Sequence, residues 1–273
     1  MKTTGERRAV ASTSNAEEQV QDAFHLFPYH YVKRLVTPDT RVLEVGFGEG
    51  YGAEILSGSI AEYVGLDVSD EAVAHATSRY ALPNVRFEQA DATAIPSPPA
   101  SFDVVVSFHV LEHIAEADAY LREIGRVCRA GGRLVIVTPN GAFRVARGER
   151  PWNRFHVHEY DHVELAQLLS RRFEEVAVMG ITGDEAMNAV ERARVSRARA
   201  FARLDPLGLR YRLPEPLLVR VRRGLTVAAR RSAQPPMRAD FTHADVRCVE
   251  DELDQSVHLL ALIDRTENDR LDA

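Results

Sequence analysis

Residues 41–50 read RVLEVGFGEG. An apolar run, Val42, Leu43 and Val45 with Glu44 inside it, meets glycines at alternate positions, Gly46, Gly48 and Gly50. A strand that stops in such a turn and then enters a helix lets backbone approach a ligand closely. Glycine has no Cβ and tolerates φ > 0. The rest of the chain has to say which ligand.

Strand patterns at 41–45, 63–67, 85–89, 103–107 and 134–138 alternate with helical patterns at about 50–58, 70–80 and 117–129. Alternation of this kind predicts a parallel sheet with helices on both faces. Three consecutive valines, Val104 to Val106, suit a central strand buried on both sides. Before the first strand, Val20, Phe24, Phe27, Tyr31 and Leu35 have helical spacing across 17–36, and Pro38 follows. After Pro139 the alternation breaks. Residues 141–160 read as a loop rich in Arg, His and aromatics, 161–171 as a helix, and 173–179 and 257–263 as two late strands.

At 273 residues, 45% hydrophobic and 27% charged, the chain is long enough for one large domain, or one domain with an insertion. A net charge of −6 disfavours a general nucleic-acid binder. Cys128 and Cys248 are far apart, without metal-ligand spacing, and read as reduced structural thiols of a cytoplasmic protein. No apolar run approaches the roughly 18–20 residues that span a bilayer. The N-terminal stretch lacks an apolar signal-peptide region. Residues 1–16 are expected to be a flexible N-terminus, 17–180 with 241–273 the main domain, and 181–240 a cap or insertion.

Gly48, Gly50 and Ala53 fit G-x-G-x-x-A, a dinucleotide fingerprint. Other features favour S-adenosylmethionine (SAM). Glu44 beside the turn suits an amino group. Asp67 at the end of the second strand suits ribose hydroxyls, a feature NAD sites share. In QADATAIP, Asp91 can accept from an adenine amine while Ala92 offers a backbone N–H.

The segments VLEVGFGEG, VGLDVS, ADATAIP, SFDVVVSFHVLEHI and RVCRAGGRLVIVTPN stand in the order and spacing of the class I SAM-dependent methyltransferases, which residues 40–140 therefore resemble. The resemblance implies an α/β, Rossmann-like sheet of seven strands in the order 3-2-1-4-5-7-6, its last strand antiparallel. An Arg-rich, mostly helical insertion would precede that last strand. The resemblance also implies that Glu44, Gly46, Gly48 and Gly50 line the methionine end of SAM and Asp67 the ribose. Asp91 and Ala92 would line the adenine, and Ser107 and Phe108 would lie beside the sulfonium.

Methyl transfer to a hydroxyl needs a base, and histidine titrates in the right range. His109 and His113 follow the fourth strand; His156 and His158 sit in RFHVHEY after the fifth. All four are candidate bases, with Glu112 beside them. SFHVLEH also resembles the E-x-x-E-H stretch of ubiquinone-biosynthesis O-methyltransferases, which implies a divalent cation such as Mg2+ on His109, Glu112 and His113. An N-x-F-H-x-x-E stretch (Asn153, Phe155, His156, Glu159) is similar to actinobacterial sugar and polysaccharide O-methyltransferases. It implies a sugar or glycan hydroxyl as acceptor, with Trp152, Tyr29 or Tyr160 to stack on the ring. A phenol, another natural product or RNA as acceptor stays open, as does a SAM-binding protein without catalysis.

Residues 192–231 hold twelve arginines against Asp205 and Glu215. This density suits a cap over the acceptor pocket that draws in an anion. Solvated helices, an arm joining a homodimer, a nucleic-acid contact and a peripheral membrane surface are the other readings.

Overall fold

In a computed structural model, residues 15–145, 149–203, 205 and 240–271 are described. Helix α1 (Ala16–Val32) starts where the Asn15 side chain accepts the Glu17 N–H, with Glu17 and Glu18 in the first turn. Asn15 and Ala16, expected in the flexible N-terminus, are the N-cap and first residue of this helix, and 1–14 lie outside the described residues. There follow β1 (Arg41–Val45), α2 (Tyr51–Leu56), β2 (Glu62–Asp67), α3 (Asp70–Arg79), β3 (Val85–Gln89), β4 (Phe102–Phe108), α4 (Ala117–Val127) and β5 (Cys128–Pro139). The C-terminal part comprises α5 (Gly141–Arg144), α6 (His162–Ser170), β6 (Glu175–Thr182), α7 (Glu185–Arg203), β7 (Arg247–Val249) and β8 (His258–Asp264).

The eight strands form one sheet in the order β3-β2-β1-β4-β5-β8-β6-β7. Strands β1 to β5 pair in parallel, and β8 lies antiparallel between β5 and β6. Seven strands were expected; the eighth is β7, three residues on the free edge of β6. A strand so short has no periodicity to read. Pairing with Gly180–Thr182, which extends β6 past the expected end, is what creates it.

Alternating side chains of the central strands enter two separate cores, which explains their unbroken apolar runs. Leu43, Val105, Leu134 and Ile136 pack with Tyr120, Leu121 and Ile124 of α4 and Leu165 of α6. Val42, Val104, Val106, Val135 and Val137 face the other way, onto Val20, Phe24 and Phe27 of α1, Leu56 of α2 and Met187 of α7. No helix among the described residues is long and apolar enough to cross a membrane.

Helix α7 falls in the first part of the expected, mostly helical insertion; 206–239 lie outside the described residues. Its arginines are not a free cationic surface. Arg194 pairs with Glu191 at 2.6 Å, Arg192 with Glu185, Arg197 with Glu17 of α1, and Arg203 approaches Glu149 at 3.6 Å. The count over 192–231 missed these partners because all four lie outside that window.

The sheet order reverses between β1 and β4, and ligands of open α/β sheets bind where the order reverses, outside the carboxyl ends of the strands. The turns after β1, β2, β3, β4 and β5 open on this edge. His258 joins them, because antiparallel β8 begins opposite Pro139. Asn140, fully buried, ties the edge together: its side-chain amide donates to Leu253 O and Ser256 O, both at 2.7 Å, and its oxygen caps α5. Ile124 is 0% exposed under β4 and β5. Ile124→Ala is expected to cost about 2–5 kcal/mol of stability in urea unfolding, with no loss of ligand-edge chemistry.

Candidate active site

The three glycines of the first turn play different parts. A Cβ on Gly46 would stand 2.3 Å from Val110 Cγ2, and one on Gly50 2.9 Å from Ala76 Cβ, so packing alone demands glycine there. Around Gly48, at φ +57°, a Cβ meets nothing within 4 Å. The open space of this turn therefore lies over Gly48. Its N–H donates to Asp67 Oδ2 at 3.0 Å, while Asp67 Oδ1 accepts Ser69 N–H at 2.9 Å. Each oxygen keeps lone pairs, as ribose hydroxyls require. Asp91 Oδ1 accepts from the Thr93 backbone and hydroxyl, which hold its carboxyl below the usual range, and Ala92 is buried beside it. Ser107 and Phe108 are buried at the end of β4; Ser107 Oγ donates to Val45 O at 3.3 Å.

Glu44 departs from expectation. It is 1% exposed, and its two oxygens accept from the Tyr29 and Tyr63 hydroxyls, the first at 2.5 Å. Burial pushes its carboxyl up to about 7, against the two hydroxyls that lower it; the nearby Asp67 adds to the rise. Direct contact with a SAM amino group gives way to a structural role, linking α1 through Tyr29 to β2 through Tyr63. Tyr29 is thereby withdrawn from any stacking surface. Trp152 is also engaged: the Arg144 and Arg194 guanidinium carbons lie 4.6 and 5.7 Å from its ring centre.

After β4 the chain turns at His109, whose φ of +58° is rare for a residue with a Cβ. A 2.7 Å bond from its N–H to Val137 O holds it there. Leu111–His113 then form one 3₁₀ turn that buries Glu112. Glu112 Oε2 accepts the Thr138 hydroxyl at 3.0 Å, and Oε1 stands 3.5 Å from His109 Nδ1. Burial would raise this carboxyl, but the hydrogen bond from His109 and the imidazoles of His109, His156 and His113 hold it down at about 2.

The Glu112 carbonyl accepts Val157 N–H at 2.7 Å and so pulls the 153–158 loop onto the site. The His113 and His156 rings meet edge to face at 4.7 Å. His156 Nδ1 bonds Glu159 at 2.6 Å, and Glu159 is held in turn by Arg144 at 3.0 Å. Arg199 of α7 grips the carbonyls of Phe143 and Arg144 from behind. His158, a candidate base two residues from His156, points elsewhere: it is half exposed and bonds Glu164 at 2.9 Å. The loop is not extended, so alternation does not hold.

Sequence reasoning missed His25 and His258. Their rings lie 4.5 and 4.8 Å from that of His109, and burial drives His258 well below the ordinary histidine value. One comes from α1 and one from β8, and no local pattern links them. Glu159 and Arg144 were also missed as site residues, although Glu159 stood in the N-x-F-H-x-x-E stretch.

Residues 43–136 match a family model described as a methyltransferase domain. The chain is 40% identical over 141 residues to a probable SAM-dependent methyltransferase of Mycobacterium tuberculosis, covering 51% of each chain. It is 30% identical over 163 residues to a phthiotriol/phenolphthiotriol dimycocerosates methyltransferase of Mycobacterium leprae, covering 59% of this chain and 57% of the relative. The chain thus spans about half the length of the curated relatives it matches first. Among solved structures, the cyclase SpnF superposes with a TM-score of 0.58 at 19% identity, covering 90% of this chain and 82% of that one. Residues 43–136 thus resemble a methyltransferase domain, as found in the SAM-dependent relatives, and SAM is the cofactor that this resemblance implies. The residues fit it: open space over Gly48, a two-oxygen acceptor at Asp67, and Asp91 with Ala92 at the third strand end.

Two outcomes follow. At Gly48 an added Cβ meets no atom within 4 Å and the positive φ costs about 1–2 kcal/mol, yet Gly48→Val is expected to abolish SAM binding in calorimetry. Unfolded and folded Glu44 are both protonated below about pH 4.5, and the unfolded chain ionises first. Stability is therefore lost as pH rises toward 7, by about 3 kcal/mol at ~1.4 kcal/mol per pH unit. Denaturant unfolding at pH 5 and 7.5 should show a smaller difference for Glu44→Gln than for the parent protein.

Proposed function

We propose that the protein is a SAM-dependent O-methyltransferase acting on a hydroxyl of a small molecule, with His109 as the general base. One observation carries the base assignment. His109 Nε2 is buried at the carboxyl end of β4 and has no hydrogen-bond partner among the described residues.

Glu112 supports the assignment. An ionised carboxylate 3.5 Å from Nδ1 favours the tautomer with hydrogen on Nδ1 and the lone pair on Nε2. Such contacts tighten when substrate binds. SAM, when bound, supplies an electrophilic methyl group for in-line displacement. The chain's own work is to seat the acceptor oxygen, remove its proton to His109 Nε2, and stabilise the resulting imidazolium with Glu112. Positioning accounts for much of the rate, since the methyl group is already activated.

A sugar or glycan acceptor loses two of its three expected stacking rings, Tyr29 and Trp152, to contacts within the protein. A lipid alcohol stands beside it as a reading, in keeping with the printed name of the M. leprae relative. Both present the same oxygen chemistry. RNA has less support, since the described arginines of α7 are engaged by carboxylates and carbonyls.

Transfer of labelled methyl from SAM across sugars, glycosides, lipid alcohols, phenols, carboxylic acids and RNA tests the reading. On the accepted alcohol, His109→Ala is expected to lower kcat about 10²–10⁴-fold and leave SAM affinity near the parent value. An ionised carboxylic acid needs no base, so activity confined to carboxylates and indifferent to His109→Ala would overturn the assignment. No transfer to any acceptor, with SAM still bound, would favour a SAM-binding protein without catalysis.

A further inference from the structure

The geometry points to a divalent metal site built from Glu112, His113 and His156, with His109 outside it. One donor atom from each of the three lies within 4.8 Å of the other two. Donors at ~2.1 Å in a tetrahedral shell stand ~3.4 Å apart, so small rotamer adjustments close the set.

The surroundings of the three are those of a metal's outer shell. His113 Nδ1 lies 3.1 Å from the Phe155 carbonyl, which can only accept, so Nδ1 carries the hydrogen and the lone pair is on Nε2. His156 Nδ1 lies 2.6 Å from Glu159, which assigns the same tautomer to that ring. A carboxylate or carbonyl behind each imidazole is the arrangement that orients and strengthens metal-ligating histidines. Glu159 is held by Arg144, both almost fully buried, so this support does not drift. Glu112 is anchored through Thr138 and has lone-pair capacity beyond that bond.

The donor set also selects the ion. Two imidazoles and one carboxylate suit Zn2+ or another borderline transition metal; Mg2+ prefers an all-oxygen shell with several waters. The expected set of His109, Glu112 and His113 with Mg2+ is therefore replaced in one ligand and in the ion. Three protein donors leave a coordination position for water or for an acceptor oxygen. The second of these uses rests on the O-methyltransferase reading; metal binding does not.

The test is calorimetric titration of the metal-stripped full-length protein with Zn2+ and, separately, Mg2+, with melting temperature as a second readout. One Zn2+ per chain is expected, raising the melting temperature, and no Mg2+ at the same concentrations. His156→Ala and His113→Ala are expected to weaken Zn2+ at least 100-fold, Glu159→Gln about 10–100-fold, and His109→Ala less than three-fold. SAM binding by each variant checks that it has folded; because Glu112→Gln disturbs a buried network, His156→Gln supplies the independent variant. Parent-like Zn2+ affinity in the His156 variants, loss of affinity in His109→Ala, or no Zn2+ bound by the parent overturns the site. None of these readouts needs an acceptor, so their failure is distinct from failure of the methyl-transfer reading.

Discussion

The ligand edge of the sheet depends on one buried carboxylate. Burying an ion costs several kcal/mol unless charge and hydrogen bonds compensate it. Glu112 is compensated on every side: His109, His113 and His156 around it, the Thr138 hydroxyl on Oε2, and its own carbonyl accepting the 157 backbone. Those partners come from the turn after β4, from β5 and from the loop beyond. Three pieces of chain are thereby held at one point, above the end of two adjacent parallel strands. Removing the carboxylate would leave three part-buried imidazoles without their common partner.

A second buried carboxylate, Glu44, does the opposite electrostatically. Among the described residues no cation faces it, so burial raises its carboxyl to about 7, and two tyrosine hydroxyls satisfy it. The contrast with Glu112 follows from neighbours, since both are equally buried. One binds helix to sheet beneath the SAM edge; the other organises the histidines. Between them, the glycine turn is divided as well. Gly46 and Gly50 are required by Val110 and Ala76, and Gly48 alone leaves room over its Cα.

Much of the fold was legible in the chain. The five parallel strands and the helices between them follow from apolar runs and period-3.6 patterns, because each element must bury its own apolar surface, whereas the antiparallel last strand was implied by the family resemblance. The predicted strand 85–89 coincides with β3. What escaped was too short to carry a period, as with β7, or lay beyond the counted window, as with Glu191 and Glu17, which neutralise Arg194 and Arg197. Of the candidate residues, His109, Glu112, His113 and His156 flank strand ends and come together in the structure. His158 lies apart from them on Glu164, since two-residue spacing aligns side chains only in extended backbone.

Local pattern was sufficient to place the candidate methyl-donor edge: the glycine turn, Asp67 and Asp91 each sit at a strand end, and strand ends in a parallel sheet converge. The roles of the histidines were decided across the chain. His25 from α1 and His258 from β8 reach His109, while Glu159, fixed by Arg144, reaches His156. Tautomer, base and ligand are properties of what lies opposite a ring nitrogen. That partner is chosen by packing of distant segments, which no spacing in the sequence encodes.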